Sequence, residues 1–127
     1  MKSILLWAAL SFAAASMTEA SVVAKNGQAS WYGEGHRGKL MANGKKFNPD
    51  KLTAASWFYP LGTKVRVTAK ASGHSAHSVL VTVTDRGPAP DLVREGRIID
   101  LAHAAYKRLA HPDLGLVSVS VKPVKHP

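Results

Sequence analysis

Two carboxylates stand where an apolar run meets a forced turn or a helix start. Asp85 opens Asp85-Arg86-Gly87-Pro88 after the valine-rich run Ser78–Thr84, and Asp100 closes Gly96-Arg97-Ile98-Ile99-Asp100 ahead of Leu101. A carboxylate beside buried apolar residues is costly unless it is hydrogen-bonded, so each should have a task. For Asp85 the task is either chemistry or holding the turn, because an aspartate can accept bonds from nearby backbone amides. Arg86 could clamp a substrate carboxylate or pair with Asp85. Asp100 reads first as a helix N-cap, accepting from the free amides of a first turn. Glu34 and His36 lie in the glycine-rich stretch from Gly33 to Gly38 and add two titratable groups that a cleft could bring toward Asp85. Trp31, Tyr32, Trp57, Phe58 and Tyr59 offer flat faces for stacking, with core packing as the competing use. His74 and His77 lack further ligands at metal-binding spacing and read as surface histidines, so neither a metal nor a cofactor is expected.

The elements that must position these residues are mostly strands. Lys64–Thr68 and Ser78–Thr84 alternate apolar and polar with period two, as half-buried strands do. Lys70 to His77 joins them as a polar loop holding Gly73, so the pair reads as a hairpin. Gln28 to Gly33 and Leu116–Lys122 are further strand candidates, and Met41 to Leu52 reads as a loop with Asn43-Gly44 and Asn48-Pro49-Asp50 turn signals. One helix is expected after Asp100, with Leu101, Ala104, Ala105 and Leu109 on one face, basic residues near its end, and Pro112 as its stop. Many short strands and little helix point to a small all-β barrel.

The chain has 127 residues and a formal net charge of +9. Residues 1–20 read as a signal peptide: Lys2, then an apolar run too short to span a bilayer, then Thr18-Glu19-Ala20 as a cleavage site, with Ala15 as the alternative. Residues 21–127 read as a single domain. Removing Lys2 and Glu19 leaves the net charge unchanged. There is no cysteine, so the core holds by packing alone and no thiol is present to accept a lipid. The expectation is an exported protein, periplasmic or secreted, without a lipid anchor or a membrane span after processing. The basic balance favours anionic envelope polymers as partners. Nucleic acid is not expected, because the cations are scattered rather than gathered in a run.

Six motifs in order resemble rare lipoprotein A (RlpA)-like proteins: Ala29-Ser30-Trp31-Tyr32-Gly33, Met41-Ala42-Asn43-Gly44, Leu52-Thr53-Ala54-Ala55, Pro60–Thr68, Asp85-Arg86-Gly87-Pro88 and Gly96–Leu101. The resemblance covers about Gln28 to Val121. It implies a six-stranded double-psi β-barrel with one or two short helices, related to expansins and family-45 endoglucanases. It also implies work on peptidoglycan glycan strands, as endolytic lytic transglycosylases that leave anhydro-muramyl ends. Such enzymes are thought to use a Glu, a His and an Asp. Asp85 matches the Asp, but Lys45 stands at the Glu position and Ser56 at the His position. Lysine is a donor-only cation and serine does not titrate usefully. Asp85, Glu34 and His36 are therefore the catalytic candidates, and Trp31, Tyr32, Asn43, Ser56, Arg86 and Asp100 the substrate-binding candidates. The alternative is a non-catalytic, expansin-like wall-binding protein.

Overall fold

A computed structural model describes residues 24–70 and 77–125. The expectations for residues 1–20 and for His74 fall outside the described residues. The chain forms strands β1 (Lys25–Tyr32), β2 (Thr53–Ala55), β3 (Lys64–Ala69), β4 (Ser78–Asp85), β5 (Arg97–Ala102) and β6 (Val117–Pro123), with helices α1 (Pro90–Arg94) and α2 (His103–Lys107). The strands close into a barrel in the order β1-β5-β2-β4-β3-β6. β1 runs parallel to β5 and β2 parallel to β4, while the other four pairings are antiparallel. No helix among the described residues is long and apolar enough to cross a membrane.

Alternation builds the core. Val65, Val67 and Ala69 of β3 point inward, as do Val79, Val81 and Val83 of β4 and Val119 and Val121 of β6. Ala29, Ile99 and Leu101 complete the barrel interior, and Tyr106 of α2 is buried against it. β5 is covered on both faces: Ile98 is buried too. On that outer side it meets Gly27, where a Cβ would lie 2.6 Å from Ile98 Cγ2, so only glycine lets β1 come this close.

The expected helix is corrected in two ways. Asp100 is not its N-cap. It lies inside β5, paired with Ser30 of β1 and Ala55 of β2. Those two neighbours demand an extended backbone at Asp100, which overrides the helical spacing of Leu101, Ala104 and Leu109. Ala102 occupies the cap position of α2 and provides no side-chain cap bond. Nor does Pro112 stop the helix. α2 ends at Lys107, and Pro112 opens a separate 3-10 turn, Pro112–Leu114, in which the Asp113 amide donates to His111 Nδ1.

Candidate functional site

Strand register brings the two aspartates together. Asp85 and Asp100 are both Cα partners of Ala55, one on each side, across β4-β2-β5. Ser30 of β1 is the partner of Asp100 on its far side. Directly paired residues share a sheet face, so Ser30, Asp100, Ala55 and Asp85 form one row over four strands. Two strand spacings set the aspartate Cα atoms about 10 Å apart, with only the alanine methyl between. Gly87 folds back over the row: a Cβ there would lie 3.2 Å from both Ala55 Cβ and Asp100 Oδ2.

The two carboxyl groups have different surroundings. Asp100 Oδ1 accepts a hydrogen bond from Ser30 Oγ. Burial holds its pKa above the usual carboxylate range, against the lowering effects of the Ser30 bond, Arg97 and His36, and Asp85 adds to the rise. Asp85 does make the turn: its Oδ1 accepts from the Ala42 amide at 2.9 Å and the Arg86 amide at 2.8 Å. Its Oδ2 takes no such bond among the described residues, so holding the turn leaves one oxygen for other work. Near the pair, the Tyr32 hydroxyl is buried without a hydrogen-bond partner. Burial first, then Asp85 and Asp100, push its ionisation upward, so it stays a neutral phenol.

The remaining candidates divide sharply. His36 sits edge-on to Tyr32, with ring centroids 5.6 Å apart, on the side of the site that holds Asp100. Glu34 is drawn the other way. Arg37 donates to both of its oxygens, at 2.6 and 2.8 Å, and also reaches Asp50 at 2.9 Å. The Arg37 bonds hold the Glu34 carboxyl below its usual range, which suits an anion and not a proton donor. One face of the Tyr32 ring is taken by Phe47, stacked on it with centroids 4.1 Å apart.

Ser56 is fully buried, and its Oγ accepts from the Phe58 amide. It shapes a turn and cannot touch a substrate. The Arg86 guanidinium likewise turns away from the Asp85 carboxylate, which Arg86 meets through its backbone amide alone. Its Nη1 donates to the carbonyls of Ser56 at 2.6 Å and Tyr59 at 2.7 Å. Asn43 Oδ1 accepts from the Lys45 backbone amide at 3.0 Å, and the Asn43 backbone N–H donates to Thr84 O. This pins the Met41–Lys45 turn against the end of β4, and Lys45 itself is exposed.

Two tryptophans are left with faces open. Trp57 is 51% exposed, and its indole N–H donates to Pro88 O at 2.6 Å, fixing the ring beside the Asp85–Pro88 turn. Trp31 is anchored through Pro112 O at 2.9 Å and tilts against His103. With His103, Lys107 and His111 it lines a shallow depression of about 680 Å³ at the α2 end of the barrel. Ser30 was missed at the sequence level. Its signal was available: alternation places it opposite in sense to buried Ala29, as Asp100 is opposite to Ile99 and Leu101.

Comparison with known proteins agrees with this architecture. A family model described as lytic transglycolase matches residues 24–121. A probable endolytic peptidoglycan transglycosylase RlpA of Synechocystis is 41% identical over 97 residues, 76% of this chain and 28% of its own length. The RlpA endolytic peptidoglycan transglycosylase of Rickettsia felis is 41% identical over 101 residues, 77% of this chain and 41% of its own. The chain thus spans well under half the length of these curated relatives. Among solved structures, the Streptomyces papain inhibitor superposes with a TM-score of 0.60 at 25% identity, covering 81% of this chain and 96% of that one. A Clavibacter michiganensis expansin variant in complex with cellohexaose also gives 0.60, at 20% identity, over 83% of this chain and 52% of that one. This chain belongs to the lytic transglycolase family of RlpA-like double-psi β-barrels.

Proposed function

We propose that this barrel acts on peptidoglycan glycan strands outside the cytoplasm, as an endolytic lytic transglycosylase. The observation that carries the reading is the row Ser30–Asp100–Ala55–Asp85, which sets a carboxyl of raised pKa beside a second carboxylate with a free oxygen. A protonated Asp100 donates its proton to the glycosidic oxygen as the carbon–oxygen bond breaks. Asp85 Oδ2 stabilises the positive charge left on the sugar ring. The sugar's own hydroxyl then attacks that carbon, closing the anhydro ring, and its proton returns to the Asp100 carboxylate. No water is consumed, and the acid is regenerated. Trp57, held rigid beside Pro88, gives a flat apolar face for a neighbouring sugar.

This moves the acid from the position where the family resemblance implies a Glu to Asp100. Lys45 cannot serve there, and buried Ser56 cannot replace a reactive histidine. Mass spectrometry of peptide-free glycan strands incubated with the protein should reveal anhydro-muramyl ends. Asp100→Asn should lower that rate about 10²–10⁴-fold, the usual contribution of one positioned acid. An undiminished rate in Asp100→Asn would remove it from the chemistry.

A second reading is a wall-binding protein without turnover. Lys45 and Ser56 support it, as does the cellohexaose-bound expansin of similar fold. It predicts sedimentation with sacculi but no anhydro ends. Attraction to anionic envelope polymers accompanies either reading.

A further inference from the structure

The outward face of the β3–β6 pair takes no part in the aspartate site. With Val65, Val67 and Ala69 inward, β3 turns Lys64, Arg66 and Thr68 outward, and β6 turns Ser120 and Lys122 outward around buried Val121. The register sets Arg66 directly opposite Lys122 and Thr68 directly opposite Ser120. Two cations facing each other across a strand pair are destabilising, and a carboxylate at either position would remove the cost. Neither cation forms an ion pair among the described residues. β3 and β6 contain no acidic residue, and neither do the flanking Ser78, Leu80 and Thr82 of β4. Arg66, Thr68, Ser120 and Lys122 instead line one depression of about 350 Å³.

This donor set is made for an oxyanion. A guanidinium fork grips two oxygens of one phosphate, an ammonium adds a point charge, and two hydroxyls supply further donors. Lys64 lies two residues along β3 from Arg66, about 7 Å at the strand rise, on the same face. That spacing allows a second phosphate of a chain to be met. The outward positions of β3, β4 and β6 carry no aromatic ring on which a base could stack, as single-stranded nucleic acids require. We infer that this face binds a phosphodiester-linked polyol polymer, one phosphate seated between Arg66 and Lys122. The inference stands apart from the glycan reading, since it uses none of the residues of that site.

The test is calorimetric titration of the full chain with poly(glycerol phosphate), inorganic phosphate, phosphatidylglycerol vesicles and oligo(dT), at low and raised salt. Poly(glycerol phosphate) should bind most tightly, with affinity falling as salt rises. The double variant Arg66→Gln/Lys122→Gln should lose at least tenfold. Lys39→Gln/Lys51→Gln, which removes the same charge from other exposed positions, should lose less than threefold. Inorganic phosphate should raise the melting temperature of the wild type more than that of the Arg66/Lys122 variant. That variant should itself melt at the same temperature as the wild type or higher, because a like-charge contact is gone. Equal losses in both double variants would reduce the effect to bulk charge and overturn the site. Tighter, Arg66-dependent binding of vesicles or oligo(dT) would overturn the occupant.

Discussion

Replacing Arg86 by methionine separates a structural clamp from a ligand clamp. Methionine keeps the length and much of the apolar stem but donates nothing. In the wild type both hydrogens of Nη1 are used, on Ser56 O and Tyr59 O. Hydrogen bonds from a charged donor contribute about 1.5–3 kcal/mol each. The site is only partly buried, so water can reach the vacated carbonyls, and the expected net loss is about 2–4 kcal/mol. A domain of this size shifts by roughly 4–8 °C per kcal/mol, so the melting temperature should fall by about 10–30 °C. Arg86→Lys should fall between the two, keeping a donor but losing the fixed fork. The assay is thermal and urea unfolding followed by circular dichroism, with sacculus binding measured well below the transition. A melting temperature within 3 °C of wild type, together with a tenfold loss of glycan binding, would refute the clamp. The guanidinium would then face the ligand and not the 56–59 turn.

Asp100→Asn should stabilise the fold at neutral pH while lowering turnover. The folded-state pKa of Asp100 is raised above its unfolded value, so ionisation destabilises the fold fully above the folded pKa. That cost fades as pH falls to the ordinary carboxylate range. The stability gap between variant and wild type should therefore be widest above the folded-state pKa and close on acidification; a gap that widens toward low pH would contradict the burial effect. Glu34→Gln should leave glycan cleavage within about twofold of wild type, since a tenfold change needs about 1.4 kcal/mol at the barrier and both Glu34 oxygens are taken by Arg37. A hundredfold loss would return Glu34 to the site despite its Arg37 pairing. Trp57→Ala should weaken co-sedimentation with peptide-free glycan by about five- to tenfold, near 1 kcal/mol for one aromatic face, with little change in melting temperature because the ring is half exposed. Unchanged binding would show that the sugar lies elsewhere.

How far the fold can be read from the chain depends on how each strand is buried. β3, β4 and β6 each show one wet and one dry face, so valines alternate with polar residues and the strands are legible. β5 is covered on both sides, and its run Ile98-Ile99-Asp100-Leu101-Ala102 carries no alternation. Without that signal, the aspartate before an apolar segment resembles a helix cap. β2 is only Thr53–Ala55, too short for any periodicity. The site follows the same division. Asp85 and Asp100 stand out as carboxylates among apolar residues, but their meeting across Ala55 depends on strand pairings between segments far apart in the chain. The capture of Glu34 by Arg37 is a local three-residue spacing and was open to inspection. The burial of Ser56 was not, because it follows from a turn packed beneath the end of β4.

The strand order of the barrel also sets a timetable for folding. β1 is hydrogen-bonded on one side to β5 and on the other to β6. As the chain is synthesised, β1 therefore has no partner until β5 and β6 follow. Among the described strands, only β3 and β4 are both consecutive and paired, and this hairpin must wait with Val79, Val81 and Val83 uncovered. Such distant pairings make for slow folding, on the millisecond-to-second scale. A truncation before Val117 would leave β1 and β3 each with an open edge, a template for intermolecular pairing. The barrel can thus close only once essentially the whole chain has emerged.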